Sequence, residues 1–260
     1  MFLDYDGTLT PIVKMPHLAT PSSETLNLLS ALSSDPKNKI YIISGRDRKF
    51  LEEHLGKLPI GLSGEHGSFI RPCPDSQTDG KVEWQHAFKD LDLSWKDAIF
   101  SLFEDFTDRT PGSFIEAKEV NVTWHYRNAD PDYGDYQKNQ MILALQGIAG
   151  KLPIEVINGD KCVEVRPPGI NKGAIIRRIM AEEDCDFVLC LGDDTTDEDM
   201  FSELTRHEKE ARTVVTATVK RKPTVAKAYI EHQRGVMDLM HCIVGTPDRK
   251  HQIRKNYTTL

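Results

Sequence analysis

The chain has 260 residues, 39% of them hydrophobic, with 33 Lys and Arg against 40 Asp and Glu for a formal net charge of -7. That length supports one large domain or two smaller ones, and an acidic balance without any basic block argues against a nucleic-acid partner. Apolar runs such as FVLCLG and KIYIIS fall far short of the roughly 18 residues of a membrane span. The five scattered cysteines (Cys73, Cys162, Cys185, Cys190, Cys242) form neither a CxxC pair nor a disulfide framework. These features predict a cytoplasmic chain with reduced thiols and no membrane partner.

The chain opens on a strand, FLDYD, that runs into Gly7 and Thr8. Met1 stands three residues before Asp4 and no signal-peptide pattern precedes it, which implies a piece of a longer polypeptide. A helix follows in SSETLNLLSALSSD, then a buried strand KIYIIS, a helix DRKFLEEHLG ended by Gly56, and a third strand IGLSGEHG. Apolar strands without alternation, separated by helices, predict a parallel sheet covered on both faces. The character changes near Pro72, where the polar PCPDSQTDGK leads into a helix around LSWKDAIFSLFEDF. A long strand SFIEAKEVNVTWHYRN, a helix in YQKNQMILALQGIAG and short strands PIEVING and KCVEVRP come next. This block reads as an antiparallel sheet with helices. After Pro168 the first style returns with helix NKGAIIRRIMAEE, strand DFVLCLGDD, helix DEDMFSEL, strand TVVTATV and a last helix near GVMDLM. The fold class is therefore α/β, a doubly wound, Rossmann-like parallel-sheet core at 1–72 and 167–260 with an inserted α/β cap at 73–166.

Asp4 and Asp6 sit two apart where an apolar strand gives way to glycine, so in an extended chain their carboxylates point the same way. Two like charges there require a compensating cation, a shared proton or a positive side chain. LGDDTTDED places Asp193, Asp194 and Asp197 after another buried strand, at the end of the sheet where ligands of such folds bind. A cluster offering only oxygens suits Mg²⁺. Asp194 and Asp197 are placed equally well to cap the helix that follows. Ser44 ends a strand and Lys172 opens a helix, where a hydroxyl and an ammonium both suit phosphate oxygens.

The ordered set DYDGT, strand-end Ser44, Lys172 and GDDTTD resembles the haloacid dehalogenase (HAD) superfamily of phosphohydrolases. Within it, FLDYDGTLTPIV, IISGRD, GEHG, RTPGSFIE, TWHYR, EVRP, NKG and FVLCLGDDTTDEDMF resemble the trehalose-6-phosphate phosphatases, above all the phosphatase domains of fungi. The resemblance implies that Asp4 attacks phosphorus to form an aspartyl phosphate, while Asp6 protonates the leaving sugar oxygen and then deprotonates water. It further implies that Asp4, Asp193 and the backbone carbonyl of Asp6 hold Mg²⁺, with Asp194 and Asp197 supporting the metal or Lys172. Thr8, Ser44 and Lys172 would grip the phosphoryl oxygens. In the cap, Glu116, Lys118 and Glu164 would read sugar hydroxyls, with Arg46, His66 and Arg127 as further substrate contacts. One departure stands out. The family carries a lysine four residues before Glu164, where this chain has Asp160, and Lys161 is shifted by one, to the opposite face unless a bulge intervenes. The implied activity is hydrolysis of trehalose 6-phosphate, the last step of trehalose biosynthesis, with subunits of a trehalose synthase complex as possible partners. The alternatives are another sugar phosphatase, such as one for sucrose phosphate, or a non-catalytic domain that senses sugar phosphate or scaffolds a synthase complex.

Overall fold

The computed structural model describes residues 1–13, 15–74, 82–88, 91–208 and 212–245, so part of the predicted polar stretch, at 75–81, lies outside the described residues. The chain divides into two compact units, Met1–Gln85 with Asn171–Leu260, and His86–Ile170.

The first unit is built on a sheet in the order β12-β11-β10-β1-β2-β3-β4-β5. Its strands are β1 (Phe2–Leu3), β2 (Tyr41–Ile43), β3 (Gly61–Gly64), β4 (Phe69–Arg71), β5 (Gln85–His86), β10 (Phe187–Gly192), β11 (Thr213–Val219) and β12 (Ala228–Ile230). From β12 to β3 every pairing is parallel, and β4 runs antiparallel to β3. β1 lies between β2 and β10, with Phe2 opposite both Tyr41 and Cys190. The strand order reverses there, and such a reversal opens a crevice beyond the strands' carboxyl ends. Asp4 and Asp193 follow the two strands that flank it.

Three of this unit's α-helices open on Ser, Asp or Asn side-chain caps. Ser22 caps α1 (Ser23–Ser33), accepting from Thr25 N at 3.0 Å, and Asp47 caps α2 (Arg48–Leu55), accepting from Phe50 N at 2.7 Å. Thr25, Leu28, Leu29 and Leu32 recur at helical spacing and are buried on α1. Asn171 caps α5 (Lys172–Glu182), accepting from Ala174 N at 2.8 Å, which fixes Lys172 as its first residue. Further on, α6 (Glu198–Arg206) and α7 (Gln233–Val244) complete this unit's α-helices among the described residues. Leu3, Leu29, Ile42, Leu62, Leu191 and Val236 belong to the shared apolar core.

The second unit has a four-stranded antiparallel sheet in the order β6-β7-β9-β8, made of Phe114–Ala117, Val122–His125, Cys162–Arg166 and Glu155–Gly159 respectively. The single strand expected over SFIEAKEVNVTWHYRN is in fact the β6/β7 hairpin. Lys118 to Asn121 form the turn, with Lys118 N donating to Asn121 O at 2.9 Å. Lys118 therefore lies just beyond the strand that carries Glu116. The other strands' apolar side chains, Val122, Trp124, Val163 and Val165, pack with α3 (Lys96–Arg109) and α4 (Pro131–Ala149). Within that core the Trp124 indole donates to Thr107 on α3 at 3.1 Å.

Candidate active site

At the carboxyl end of β1 the chain turns instead of extending: Leu9 N and Thr10 N both donate to Tyr5 O at 3.0 Å, and Gly7 N donates to Thr10 O at 2.7 Å. Gly7 has φ of 82°, and a Cβ there would lie 2.1 Å from Asp193 Oδ2. Only glycine lets the Asp193 carboxylate approach this turn. The bend also separates the two acids that an extended strand would have aligned.

Lys172 Nζ donates to Asp4 Oδ1 at 2.6 Å and to Asp197 Oδ1 at 2.7 Å, and all three side chains are at most 5% exposed. Asp197 Oδ2 accepts from the backbone N–H groups of Asp193 and Asp194, each at 2.8 Å. Asp197 thus locks the Lys172 ammonium to the loop after β10. Asp194 turns aside to cap the short helix that follows, accepting from Thr195 N at 2.7 Å. Of the five proposed metal-holding acids, Asp4, Asp193 and Asp197 bring carboxylate oxygens within 4.8 Å of one another. The side chains of Asp6 and Asp194 have other partners.

Three buried carboxylates around one buried ammonium leave a deficit of positive charge. Burial, and then the Asp197 charge, holds Asp4 well above the usual carboxylate range, with Lys172 pulling the other way. Asp193 is pushed up to about 7 by burial and by the charges of Asp197 and Asp194. Burial alone would lower Lys172, but Asp197 and Asp4 outweigh it and raise the ammonium above its ordinary value. A hard divalent cation bound through oxygens would offset this deficit, so the donor set fits Mg²⁺. Two lysines that sequence reading passed over also face Asp193: Lys222 Nζ donates to its backbone carbonyl at 2.7 Å, and Lys220 Nζ lies 3.8 Å from Oδ2. Lys220 follows a buried strand directly, the same signal that marks Asp193, and Lys222 comes two residues later.

Ser44 is fully buried at the end of β2, and its hydroxyl accepts from Arg46 N at 3.1 Å. Thr8 is also fully buried, and its hydroxyl has no hydrogen-bond partner among the described residues. His66 N donates to Ser44 O at 2.9 Å, and its ring lies so near Gly45 that a Cβ there would come within 2.5 Å of Nε2. Both Glu65 and His66 have positive φ, 47° and 55°, a backbone state that costs non-glycine residues about 1 kcal/mol or more. His66 therefore buttresses the turn that presents Ser44 and Arg46. Arg46 donates to both carboxylate oxygens of Asp6, Nε to Oδ2 at 2.8 Å and Nη2 to Oδ1 at 2.6 Å.

In the second unit, Glu116, Thr123 and Glu164 stand opposite one another across three strands, on the sheet face away from Trp124 and Val163. Glu116 Oε2 lies 2.8 Å from His125 Nε2 and 3.4 Å from Lys118 Nζ. The Glu164 carboxylate accepts from the Thr123 hydroxyl at 3.5 Å and lies 3.7 Å from Arg166. His125 escaped the sequence reading because only the β6/β7 pairing brings it to Glu116, whereas Arg166 shares a strand face with Glu164 by the i, i+2 spacing and was passed over. Arg127 is elsewhere, two residues beyond the end of β7, donating to the carbonyl and the carboxylate of Asp160 in the β8/β9 turn at 2.8 and 3.0 Å. Lys161 takes φ of 60° in the β8/β9 turn, ion-pairs with Asp135 of α4 at 2.8 Å and lies over the Tyr126 ring. It faces the helix side, opposite Glu164, and no bulge brings it back.

A family model described as trehalose-phosphatase matches residues 2–233. The chain is 42% identical to a trehalose-phosphatase of Schizosaccharomyces pombe over 92% of this chain and 30% of that protein. It is 45% identical to a UDP-forming alpha,alpha-trehalose-phosphate synthase B of Dictyostelium discoideum, over 92% of this chain and 29% of that one. The chain thus spans about a third of the length of the curated relatives it matches. Among solved structures, the C-terminal domain of Candida albicans trehalose-6-phosphate phosphatase is similar with a TM-score of 0.86 and 40% identity, covering 94% of this chain and 91% of that one.

Proposed function

Because the chain belongs to the trehalose-phosphatase family, we propose that it hydrolyses trehalose 6-phosphate to trehalose and phosphate through an aspartyl phosphate on Asp4. The observation that carries this reading is the buried Lys172 ammonium shared by Asp4 and Asp197 where β1 and β10 end. Asp4 attacks phosphorus, and Lys172 offsets the charge on both the nucleophile and the phosphoryl oxygens. Ser44 and Thr8 donate hydroxyl hydrogen bonds to those oxygens. Asp6 protonates the departing sugar oxygen, then takes a proton from the water that cleaves the intermediate. Asp4, Asp193 and the Asp6 carbonyl would hold Mg²⁺, which supplies Lewis-acid neutralisation of the phosphoryl charge when bound. Asp197 positions Lys172 and the Asp193 loop, and Asp194 caps.

Recognition of the sugar falls to the inserted unit, where Glu116, Lys118 and Glu164 offer charged partners for hydroxyl groups. Five unbridged cysteines suit a reducing cytosol, and the synthase names among the relatives support association with trehalose synthase subunits. The test is phosphate release from a panel of sugar phosphates with and without Mg²⁺. The proposal expects release from trehalose 6-phosphate above all, and only with the metal. Equal release across the panel would assign a general phosphatase, and none from any member a sensing or scaffold domain.

A further inference from the structure

Arg46 stands among the residues that sequence reading assigned to the substrate, yet its guanidinium is committed to the protein. Nε and Nη2 form a fork on the two oxygens of Asp6, and Nη1 donates to Pro16 O at 2.6 Å. The guanidinium carbon lies 4.6 Å from the centre of the Phe50 ring. Its backbone is fixed as well, since Arg46 N donates to Ser44 Oγ and Arg46 O accepts from Glu65 N at 2.8 Å. The residue is 9% exposed, whereas the Asp6 side chain it grips is 37% exposed. A buried, multiply anchored cation thus holds an accessible carboxylate by both oxygens.

We propose that Arg46 is the positioning residue for Asp6: it sets the torsion of the acid–base carboxylate and does not read the sugar. This inference rests on the phosphatase reading above. In the first step Asp6 gives a proton to the bridging oxygen while the bond from that oxygen to phosphorus breaks and the bond from Asp4 forms. In the second step the Asp6 carboxylate takes a proton from water while the water oxygen bonds to phosphorus and the Asp4–phosphorus bond breaks. Both steps require one carboxylate to face the same point twice, in two protonation states. A bidentate guanidinium fixes that plane in a way a lysine or a single hydrogen bond cannot.

The consequence is selective for leaving groups. A sugar alkoxide needs protonation as it departs, and a nitrophenolate does not. The experiment measures kcat/KM, which covers the steps through departure of the leaving group, for trehalose 6-phosphate and p-nitrophenyl phosphate with Mg²⁺. It compares wild type, Arg46→Ala and Arg46→Lys, the last retaining the charge over Phe50 without the fork. General acid–base catalysis contributes about a hundredfold or more. Both variants should therefore lose at least about thirtyfold on the sugar phosphate and less than about fivefold on the aryl phosphate. Added guanidinium should restore part of the loss in Arg46→Ala. Because a sugar-reading arginine would also spare the aryl substrate, trehalose 6-phosphate binding is measured by calorimetry on Asp4→Asn protein with and without Arg46→Ala. A positioning role leaves the dissociation constant within about threefold, whereas loss of a charged hydrogen bond to the sugar weakens it about tenfold or more. Weaker binding of that size, or equal losses on both substrates, overturns the inference while leaving the phosphatase reading intact. A wild-type protein inert towards trehalose 6-phosphate overturns both.

Discussion

Replacing Lys172 with Met removes the one buried cation that Asp4 and Asp197 share while nearly preserving the volume of the side chain. The three side chains are 3%, 5% and 0% exposed in the order Lys172, Asp4, Asp197, so water does not reach in to replace the ammonium. Breaking a buried pair by removing one partner costs about 3 to 5 kcal/mol, because the remaining charge is stranded. Asp4 offers partial relief by taking a proton, since burial and Asp197 already hold it well above the usual range. The sign follows from linkage. An acid whose folded pKa is raised binds its proton more tightly in the folded than in the unfolded chain, so stability falls as pH rises between the two values. The deficit of Lys172→Met should accordingly be largest near pH 8, at about 3 kcal/mol or more, and smaller near pH 5. Urea unfolding with linear extrapolation, in chelated buffer at both values, reads it directly. A deficit below about 1 kcal/mol at both pH values, or one that grows on acidification, would refute the picture of a buried cation holding two carboxylates.

Three further outcomes follow from other parts of the molecule. Glu116→Ala and Glu164→Ala should each lower kcat/KM for trehalose 6-phosphate by about ten- to a hundredfold and spare p-nitrophenyl phosphate, as hydrogen bonds to a charged group contribute about 1.5 to 3 kcal/mol. An equal fall on both substrates would mean that these glutamates support the fold of the inserted unit. Gly7→Ala places a Cβ 2.1 Å from Asp193 Oδ2 in a left-handed turn, so the carboxylate must move. Calorimetry should show Mg²⁺ affinity reduced about tenfold or more, and affinity within twofold of wild type would contradict the placing of Asp193. Glu203 accepts from Arg177 at 2.9 and 2.7 Å, and that hydrogen bonding first of all holds its carboxyl below the ordinary value of 4.5. An acid with a depressed folded pKa stabilises above its unfolded value and loses that contribution as pH falls through the folded one. Glu203→Gln should therefore cost about 1 kcal/mol at neutral pH, discounted for the exposed arginine, and nothing once the medium is well below about pH 4. A gap that persists in acid would point to packing.

The sequence made the parallel core legible because DFVLCLG and KIYIIS are apolar without alternation, and because segments of helical spacing, such as SSETLNLLSALSSD and NKGAIIRRIMAEE, separate the core strands. Chemistry placed right after such strands, at Asp4, Ser44 and Asp193, was legible for the same reason: a polar group there has left the core. The β6/β7 hairpin was hidden because its turn, Lys118 to Asn121, contains neither glycine nor proline and keeps an apolar residue, Val120, in step with the strands. Contacts between residues far apart in the chain were not legible from spacing, and only the resemblance placed Lys172 with Asp4 and Asp193. The Arg46 fork on Asp6 joins residues 40 apart, and Lys172 meets Asp4 across 168, so no periodicity or spacing could announce them. Asp194 and Asp197 had been equally eligible as caps or as site residues. Hydrogen bonds show that both form the capping box of the short helix after β10, and that Asp197 in addition receives the ammonium.

The central claim is that Asp4 is the nucleophile, and an acid quench tests it most directly. The protein would be mixed with trehalose 6-phosphate and Mg²⁺, stopped in acid during the first turnovers, and the peptide that carries Asp4 mapped by mass spectrometry. The account predicts the mass of one phosphoryl group on Asp4, chased away when turnover is allowed to finish and missing from Asp4→Asn protein. Phosphate release that proceeds at the wild-type rate with Asp4→Asn, or a phosphoryl group found on any other residue, would contradict it.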